Sequence, residues 1–452
     1  MFNRNIIAKL DSWAARQNRK PLILRGARQV GKTSAINLFA QKFDTYIYLN
    51  LDRPEDLALF RQDSPFSDVV DSVFFAKNVE KKAGRTLLFI DEIQNSSKAV
   101  SLLRYFYEDT PELFVVAAGS LLETLIDNQI SFPVGRVEYM AVHPCSFEEY
   151  LIATGELQAR EILNQNLVPE YAHDKLTSLF RQYAIIGGMP EIVNNYAENR
   201  DLTKLKTLYD GLIVSYLDDV EKYARNSSTI HVVRFIIENA FSQAGERITF
   251  EGFANSNFRS REMGEAFRLL EKTMLLQMVY PVVNTGLPLN IKNRSPKLQL
   301  LDTGLVNYKA GIQGELLGST NIEDAYRGKI AEHITGQELL SSENSVLARL
   351  NYWSRDTKNA QAEVDFVISF NGLLIPIEVK SGASGKLRSL HRFMDEAPHT
   401  WAVRIYSGKL NVETVNTLAG KAYTLINIPF YLTGRLEKVL AQIIKLGYEN
   451  SK

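Results

Sequence analysis

The chain has 452 residues, of which 45% are hydrophobic and 23% charged, and its 52 basic residues balance 52 acidic ones. This composition is typical of a globular protein with large cores, and the length predicts about three domains. A net charge of zero excludes a basic field over the whole chain, although local basic patches for nucleic acid stay open. The single cysteine, Cys145, excludes an internal disulfide framework and a cysteine-rich zinc site.

The sequence also predicts a cytoplasmic protein without a membrane partner. One cysteine fits a reducing compartment. The first residues carry charges inside a short apolar run and lack the core of a signal peptide. The longest apolar stretch, 274–283, is interrupted by Gln277 and Pro281 and is too short to cross a bilayer. The histidines show none of the close spacings that are typical of metal ligands.

Strand-like and helical stretches alternate from residue 20 to about 145. The predicted strands are 22–25, 46–51, 86–90, 114–118 and 137–142. This alternation predicts an α/β fold in which a parallel sheet has helices on both faces.

The first predicted strand runs into residues 26–33, which read GARQVGKT and match the pattern GxxxxGK[ST]. A strand, this loop and a helix form a phosphate-binding site, because backbone N–H groups and a helix N-terminus face the phosphate oxygens. Lys32 is predicted to reach the β- and γ-phosphates of ATP, and the Thr33 hydroxyl to bind Mg²⁺. The predicted nucleotide-binding residues are Gly26, Ala27, Arg28, Gln29, Val30, Gly31, Lys32, Thr33 and Ser34.

Further residues complete the prediction of ATP hydrolysis. The apolar strand 86–90 ends in Asp91, a candidate Mg²⁺ ligand, and Glu92, a candidate general base that polarises water. Ser120 follows the next strand and is a candidate contact for the γ-phosphate or the water, although a plain turn explains it equally well. Arg136 is a candidate for stabilising charge in phosphoryl transfer, in its own subunit or a neighbouring one. A solvated or paired arginine is the commoner outcome.

The middle of the chain is predicted to be helical from 150 to about 240, with a break at 187–190. Short helices and predicted strands at 276–283 and 297–301 then suggest a winged-helix-like module. A small excess of basic residues fits DNA contact through Arg259 and Arg261. It fits a packing module between domains equally well.

The last third is predicted to begin with a helix at 325–340 and to continue with strands, among them 363–369 and 373–379. Glu378 and Lys380 are two residues apart on one strand and project from the same face. The Asn371-Gly372 turn predicts a hairpin that brings Asp365 alongside them. Cross-strand charge pairing is a structural alternative for the same residues.

This D…ExK arrangement resembles that of restriction-endonuclease-like nucleases. The resemblance implies metal-assisted hydrolysis of a phosphodiester, with Asp365 and Glu378 holding Mg²⁺. Lys380 would then orient or deprotonate the attacking water. Such folds often add a glutamate from a preceding helix, and Glu332 is correctly placed for it in chain order.

The chain as a whole resembles AAA-type ATPases of bacteria and archaea. The shared segments are GARQVGKT at 26–33, FIDEIQ at 89–94, GSLL at 119–122, GR at 135–136, PCSFEEY at 144–150 and GGMPE at 187–191. The resemblance covers nearly the whole chain, because those ATPases commonly carry a nuclease-like C-terminal domain. It implies a nucleotide-driven machine or switch with a helical lid, in which Arg181 is a candidate nucleotide-sensing arginine.

Together these patterns predict four domains: an AAA-type ATPase core at 1–150, a helical lid at 151–245, a winged-helix-like module at 246–312 and a restriction-endonuclease-like domain at 313–452. The predicted function is Mg²⁺-dependent ATP hydrolysis that controls a nuclease-like domain acting on DNA or RNA, in a chain that self-associates through its ATPase core. The alternative is an ATP-gated switch or assembly module whose nuclease-fold domain is inert. A phosphotransferase would need a second substrate pocket, for which the sequence shows no motif.

Overall fold

The computed structural model describes residues 2–61, 63–81, 84–119, 133–165, 167–224, 226–313, 328–355, 362–382 and 387–449. The chain forms two compact units. The first unit is Met1–His143 with the short pieces Lys272–Met274 and Asn344–Leu347, and the second unit contains the remainder from Pro144 onwards. No helix in these described ranges is both long and apolar enough to span a membrane.

The first unit contains a five-stranded parallel sheet. Its strands are β1 (Leu22–Arg25), β2 (Thr45–Asn50), β3 (Thr86–Asp91), β4 (Phe114–Ala118) and β5 (Glu138–Ala141), and its described helices are α1 (Ile6–Ala14), α2 (Lys32–Ala40), α3 (Pro54–Leu57), α4 (Phe66–Ala76) and α5 (Ser97–Glu108). The strand order is β2-β3-β4-β1-β5, and every neighbouring pair is parallel. The α/β fold and the parallel sheet are therefore confirmed, and each predicted strand end lies within one residue of the observed one.

Helices cover both faces of this sheet, as the alternating side chains of β4 show. Val115 and Ala117 belong to an apolar cluster with α4 and α5. Phe114 points to the opposite face, where its ring packs edge-on against Trp13 of α1. Trp13 also contacts Phe39 of α2. Because successive strand residues face opposite sides, these contacts place α1 and α2 across the sheet from α4 and α5.

The second unit combines a helical segment with a mixed sheet. Its described helices are α6 (Phe147–Ala153), α7 (Leu157–Leu163), α8 (His173–Ile186), α9 (Pro190–Asn199), α10 (Lys206–Tyr223), α11 (Ser227–Ala240), α12 (Ser260–Lys272), α13 (Thr303–Lys309), α14 (Lys329–Ser342), α15 (Arg388–Glu396) and α16 (Leu436–Glu449). Its strands are β6 (Leu276–Val282), β7 (Lys297–Leu300), β8 (Asn351–Ser354), β9 (Glu363–Phe370), β10 (Leu373–Val379), β11 (Trp401–Tyr406), β12 (Asn411–Asn416) and β13 (Ala422–Pro429). They form one sheet in the order β12-β13-β11-β10-β9-β8-β6-β7.

This sheet changes the interpretation of residues 246–312. Strand β6 pairs with β7 as a wing would, but it also pairs in parallel with β8 through Tyr280 and Asn351. The two strands therefore extend the C-terminal sheet instead of forming a separate one. The sequence did not reveal this because strand partners far apart in the chain leave no local pattern. The division into four domains stays a prediction.

The double glycine at 187–188 has a packing role in the second unit. A Cβ on Gly187 would lie 2.3 Å from an Asp302 carboxylate oxygen, and one on Gly188 would lie 2.2 Å from the carbonyl oxygen of Cys145. Asp302 is fully buried and accepts a hydrogen bond from the Gly188 N–H at 2.5 Å. Only glycine allows this close approach of three chain segments.

A buried polar network surrounds Glu338 of α14. Its Oε1 accepts hydrogen bonds from the Phe147 N–H at 2.9 Å and from the Tyr183 hydroxyl at 2.7 Å. Gln337 donates to the same tyrosine hydroxyl at 3.0 Å. Glu338 thereby joins the first residue of α6 to α8, and these three helices share one polar centre. Burial raises the pKa of Glu338 to about 7, although the hydrogen bonds from Tyr183 and Phe147 oppose the shift.

Candidate nucleotide site and carboxylate cluster

The loop of residues 26–33 connects β1 to α2 and depends on unusual backbone conformations. Gly31 precedes the helix with φ of 89°, and Gln29 has φ of 64°. A Cβ on Gly26 would lie 2.4 Å from the carbonyl oxygen of Val142, so a larger residue would displace backbone. Arg4 fastens the loop from outside by donating to the Val30 carbonyl at 3.1 Å. The sequence pattern and the geometry agree on a fixed loop at a helix N-terminus, which suits anion binding.

Lys32 lies inside this loop. Its side chain is buried, and its ammonium donates to the carbonyl oxygens of Gly26 and Ala27 at 2.9 Å each. A buried ammonium needs such partners, because desolvation of a charge is costly. The positive charge of Lys32 is therefore held inside the loop of residues 26–33. Arg28, Gln29 and Ser34 are exposed.

Thr33 and Asp91 meet at the carboxyl ends of β1 and β3. The Thr33 hydroxyl donates to Asp91 Oδ2 at 2.7 Å, and Tyr48 of β2 donates to the same oxygen at 3.4 Å. Burial and the nearby Asp91 raise the pKa of Tyr48 to about 12, so its phenol stays a hydrogen-bond donor. Tyr48 was not predicted as a site residue, because nothing near residue 48 in the sequence points to a partner 43 positions away. A hydroxyl and a carboxylate in contact are oxygen ligands of the kind that Mg²⁺ prefers.

Glu92 follows directly and has an unusual backbone conformation. Its φ is 51°, a left-handed value that costs a non-glycine residue about 1 kcal/mol or more. Its carboxylate accepts a hydrogen bond from the Gln94 side chain. Burial raises the pKa of Glu92, and the charge of Asp91 adds to the shift, whereas Gln94 and Lys32 oppose it. A more basic carboxylate beside a candidate metal ligand is suited to accepting a proton from water.

Arg136 lies at the opposite end of the sheet from the loop. In the parallel pairing of β1 with β5, Leu22 lies beside Glu138, so Arg136 precedes the amino ends of both strands. The loop instead follows the carboxyl end of β1. Arg136 pairs with Glu108 at 2.7 Å on the surface. Within its own subunit, Arg136 therefore lies at the other end of β1 from the loop, and its catalytic role stays a prediction. The role towards a neighbour stays a prediction.

The roles predicted for Ser120 and Arg181 stay predictions. Ser120 lies outside the described residues. Arg181 lies on α8, and its sensing role stays a prediction.

Arg261, which was predicted to contact DNA, is exposed and pairs with Glu265 one helical turn later at 2.9 Å.

The residues of the D…ExK pattern do come together. In the antiparallel pair β9–β10, Ile377 lies opposite Phe366, so the next position places Glu378 opposite Asp365. Asp365 Oδ2 accepts a hydrogen bond from the Val379 N–H at 2.7 Å. Lys380 bonds Glu378 Oε1 at 2.6 Å, whereas Glu378 Oε2 is buried and finds no hydrogen-bond partner among the described residues. Burial raises the pKa of Asp365 well above its ordinary value, and Glu332 and Glu378 add to the shift.

Lys297 of β7 also belongs to this cluster, although the sequence pattern did not predict it. It is buried, and its ammonium lies 2.9 Å from Glu332, 2.6 Å from Glu363 and 4.0 Å from Asp365. Burial alone would lower the pKa of Lys297, but these carboxylates raise it, so the lysine is charged. Only the extension of the C-terminal sheet by β7 brings Lys297 here, and no local signal marks it.

The predicted metal ligands of this cluster are therefore close together without forming a ready metal site. Within the described residues, no three acidic, histidine or cysteine side chains are arranged to hold one metal ion. The carboxylates of Glu332, Asp365 and Glu378 surround amino groups instead. The assignment of Asp365, Glu378 and Glu332 as metal ligands stays a prediction, and the sequence pattern did not include the lysine that lies among them.

Comparison with known proteins supports the amino-terminal assignment. Residues 18–151 match a family model described as an AAA domain. The amino-terminal part of the chain is thus similar to AAA domains. Residues 177–316 and 327–431 match two models described as domains of unknown function, DUF8612 and DUF4143. No curated protein matches the chain.

Several solved structures match part of the chain at low similarity. The Walker-type ATPase PABY2304 of Pyrococcus abyssi is 15% identical, with 69% of this chain and 96% of that chain covered and a TM-score of 0.45. Orc1 of Aeropyrum pernix in complex with DNA is 13% identical, with 68% and 92% covered and a TM-score of 0.29. The RuvB Holliday junction branch migration motor of Thermotoga maritima is 14% identical, with 62% and 90% covered and a TM-score of 0.26. Scores this low carry no argument about function.

Proposed function

We propose that the chain hydrolyses ATP at the loop of residues 26–33 with Mg²⁺. The observation that carries this proposal is the contact of the Thr33 hydroxyl with Asp91 at 2.7 Å, directly beside Glu92. The loop N–H groups and Lys32 would hold the phosphates, and Thr33 and Asp91 would hold the metal ion. When bound, Mg²⁺ neutralises charge on the phosphates.

Each protein group then has a separate task. Lys32 exchanges its backbone carbonyl partners for phosphate oxygens, because a charge-assisted bond to an anion is stronger than one to a neutral carbonyl. Tyr48 fixes the orientation of the Asp91 carboxylate. Glu92 accepts a proton from the attacking water, while Gln94 holds its carboxylate in place.

The first test is metal removal. The purified chain with ATP and Mg²⁺ is expected to release phosphate, and EDTA is expected to stop the release because the phosphate charge is no longer neutralised. Phosphate is measured with a coupled colour assay, and an excess of Mg²⁺ over EDTA should restore the rate. Release that continues in EDTA would contradict the role given to Thr33 and Asp91.

The proposal extends to the second unit, where the ATP cycle would control a nuclease-like domain that acts on DNA or RNA. It is supported by the convergence of Asp365, Glu378 and Lys380 on adjacent strands. We further propose that copies of the chain associate through the ATPase core, so that Arg136 reaches the nucleotide of a neighbour. The exposed position of Arg136 at the far end of the sheet favours a partner outside its own subunit.

A second candidate is an ATP-gated switch whose nuclease-fold domain does not cleave. The position of Lys297 among the carboxylates favours it, because an ammonium already neutralises the oxygens that a metal ion would need. This candidate predicts ATP-dependent self-association without cleavage. Sizing chromatography with a non-hydrolysable ATP analogue would detect the association.

The Asp365→Ala variant separates the two candidates. If the second unit is a nuclease, cleavage of single- or double-stranded DNA or RNA with Mg²⁺ or Mn²⁺ is expected to disappear, while phosphate release from ATP continues. The matched control is Asp395→Ala, an acidic residue of the same sheet domain outside the cluster. If the unchanged chain leaves every nucleic acid intact while it is turning over ATP, the nuclease candidate fails and the switch remains.

A further inference from the structure

The carboxylate cluster of the second unit contains its own cation. Lys297 contacts Glu332 of α14 and Glu363 of β9, and its ammonium lies 4.0 Å from Asp365. The side chain is one-tenth exposed and stacks over the ring of Tyr352, with the ammonium 5.3 Å from the ring centre. Packing on one side and ion pairs on the other fix the amino group in the middle of the acidic residues.

Counting charges shows why this position matters. Metal binding requires ionised carboxylates, and in that state four carboxylates (Glu332, Glu363, Asp365 and Glu378) face three cations (Lys297, Lys380 and Arg247) within the described residues. A divalent ion added to this set would leave an excess of positive charge in a buried place, which is costly. Without Lys297 the same set has two more carboxylates than cations. That excess equals the charge of one divalent metal ion.

The distances lead to the same conclusion. A divalent ion takes carboxylate oxygens at about 2.0–2.6 Å, and it needs several of them at once. The ammonium already bonds Glu332 Oε2 at 2.9 Å and Glu363 Oε1 at 2.6 Å. An ammonium and a metal ion among these oxygens would repel each other and compete for the same lone pairs.

We propose that Lys297 is the resident cation of this cluster and closes it to divalent metal ions. The proposal rests on the nuclease-like cluster of the proposed function and names what controls that cluster. Metal ions enter only when the lysine is removed or withdraws from Glu332 and Glu363. Glu378 Oε2, which has no hydrogen-bond partner among the described residues, and Asp365 on the adjacent strand then become available to a metal ion.

The test measures the binding of Mn²⁺ to the full chain without nucleotide. The electron paramagnetic resonance signal of free Mn²⁺ reports how much of the ion stays unbound. Wild type and Asp365→Asn are expected to bind Mn²⁺ equally, because the cluster of the wild type takes up no Mn²⁺. Lys297→Met, which keeps the length of the side chain and removes its charge, is expected to bind Mn²⁺ at least about tenfold more tightly. The double variant that combines Lys297→Met with Asp365→Asn is expected to lose the tighter Mn²⁺ binding. The control is Lys329→Met, which removes an exposed lysine of α14 that pairs with Glu246 and should behave as wild type.

Two outcomes overturn the proposal. One is Asp365-dependent Mn²⁺ binding in wild type as tight as in Lys297→Met, and the other is a folded Lys297→Met without gain, with folding checked by circular dichroism. If Lys297→Met does not fold, Mn²⁺ binding is still compared between wild type and Asp365→Asn. Tighter binding by wild type would overturn the proposal. Metal-loaded Lys297→Met that cuts no DNA or RNA counts against the nuclease candidate alone. Missing ATP hydrolysis in wild type counts against the loop proposal alone.

Discussion

Replacing Glu92 by glutamine is expected to slow ATP hydrolysis by at least about a hundredfold, which is the usual effect of losing a general base. Glutamine has the same size and can still accept the hydrogen bond from Gln94, but it cannot take a proton from water. ATP binding is expected to persist, because the phosphates would be held by the loop and Lys32. Lys32→Ala is expected to lose both binding and hydrolysis. Phosphate release and the binding of a fluorescent ATP analogue measure the two effects separately.

The matched control for this substitution is Glu55→Gln, an exposed glutamate of the same unit that should keep the wild-type rate. The rate of ATP hydrolysis by wild type should also fall as the pH is lowered. Because burial raises the pKa of Glu92, the base is lost on acidification at a higher pH than an ordinary glutamate would be. A Glu92→Gln variant that hydrolyses ATP at the wild-type rate would mean that another group takes the proton.

Replacing Glu338 by glutamine is expected to change the pH dependence of folding. In the folded chain the pKa of Glu338 is about 7, and its ordinary value is 4.5. Below 4.5 both folded and unfolded chains carry the proton, so the raised pKa stabilises the fold fully there. As the pH rises towards 7, the unfolded chain releases the proton first and this stability is lost. From pH 5 to pH 8 wild type should lose about 2 to 3 kcal/mol that the glutamine variant keeps.

The comparison is made by urea unfolding of both proteins at the two pH values. All other titrating groups are shared, so the difference between the two unfolding free energies isolates Glu338. Glutamine still accepts from Phe147 and Tyr183, which separates the loss of the proton from the loss of the hydrogen bonds. The control is Glu437→Gln, an exposed glutamate of α16. A difference that does not change with pH would show that Glu338 carries no raised pKa.

The amino-terminal unit was largely predictable from the sequence because its signals are local. The central strands β3 and β4 are short apolar runs, and the loop pattern specifies backbone conformations within eight consecutive positions. Asp91 and Glu92 follow an apolar strand in the same way. Thr33 and Asp91 were predicted separately as Mg²⁺ ligands, and they lie close together because parallel strands end at one edge of a sheet.

The second unit was less predictable because its centres join segments that are far apart. Glu338 meets Phe147 across 191 positions, and Tyr183 across 155. The hairpin of β9 and β10 was predicted from Asn371-Gly372, whereas β12, β13 and α16 were not identified. The polar strand β12, with exposed side chains at most positions, lacks the apolar alternation that marks a strand.

The sequence by itself determined the loop of residues 26–33, the acidic pair at the end of β3 and the pairing of Asp365 with Glu378, since each depends on spacing along one or two adjacent elements. Only the tertiary structure decided which end of the sheet holds Arg136 and which cation lies among the C-terminal carboxylates. The sheet order places Arg136 away from the loop. The joining of β7 to the C-terminal sheet through β6 brings Lys297 to Glu332 and Glu363. Charge neutralisation in a buried place depends on such distant partners, and spacing in the chain does not encode them.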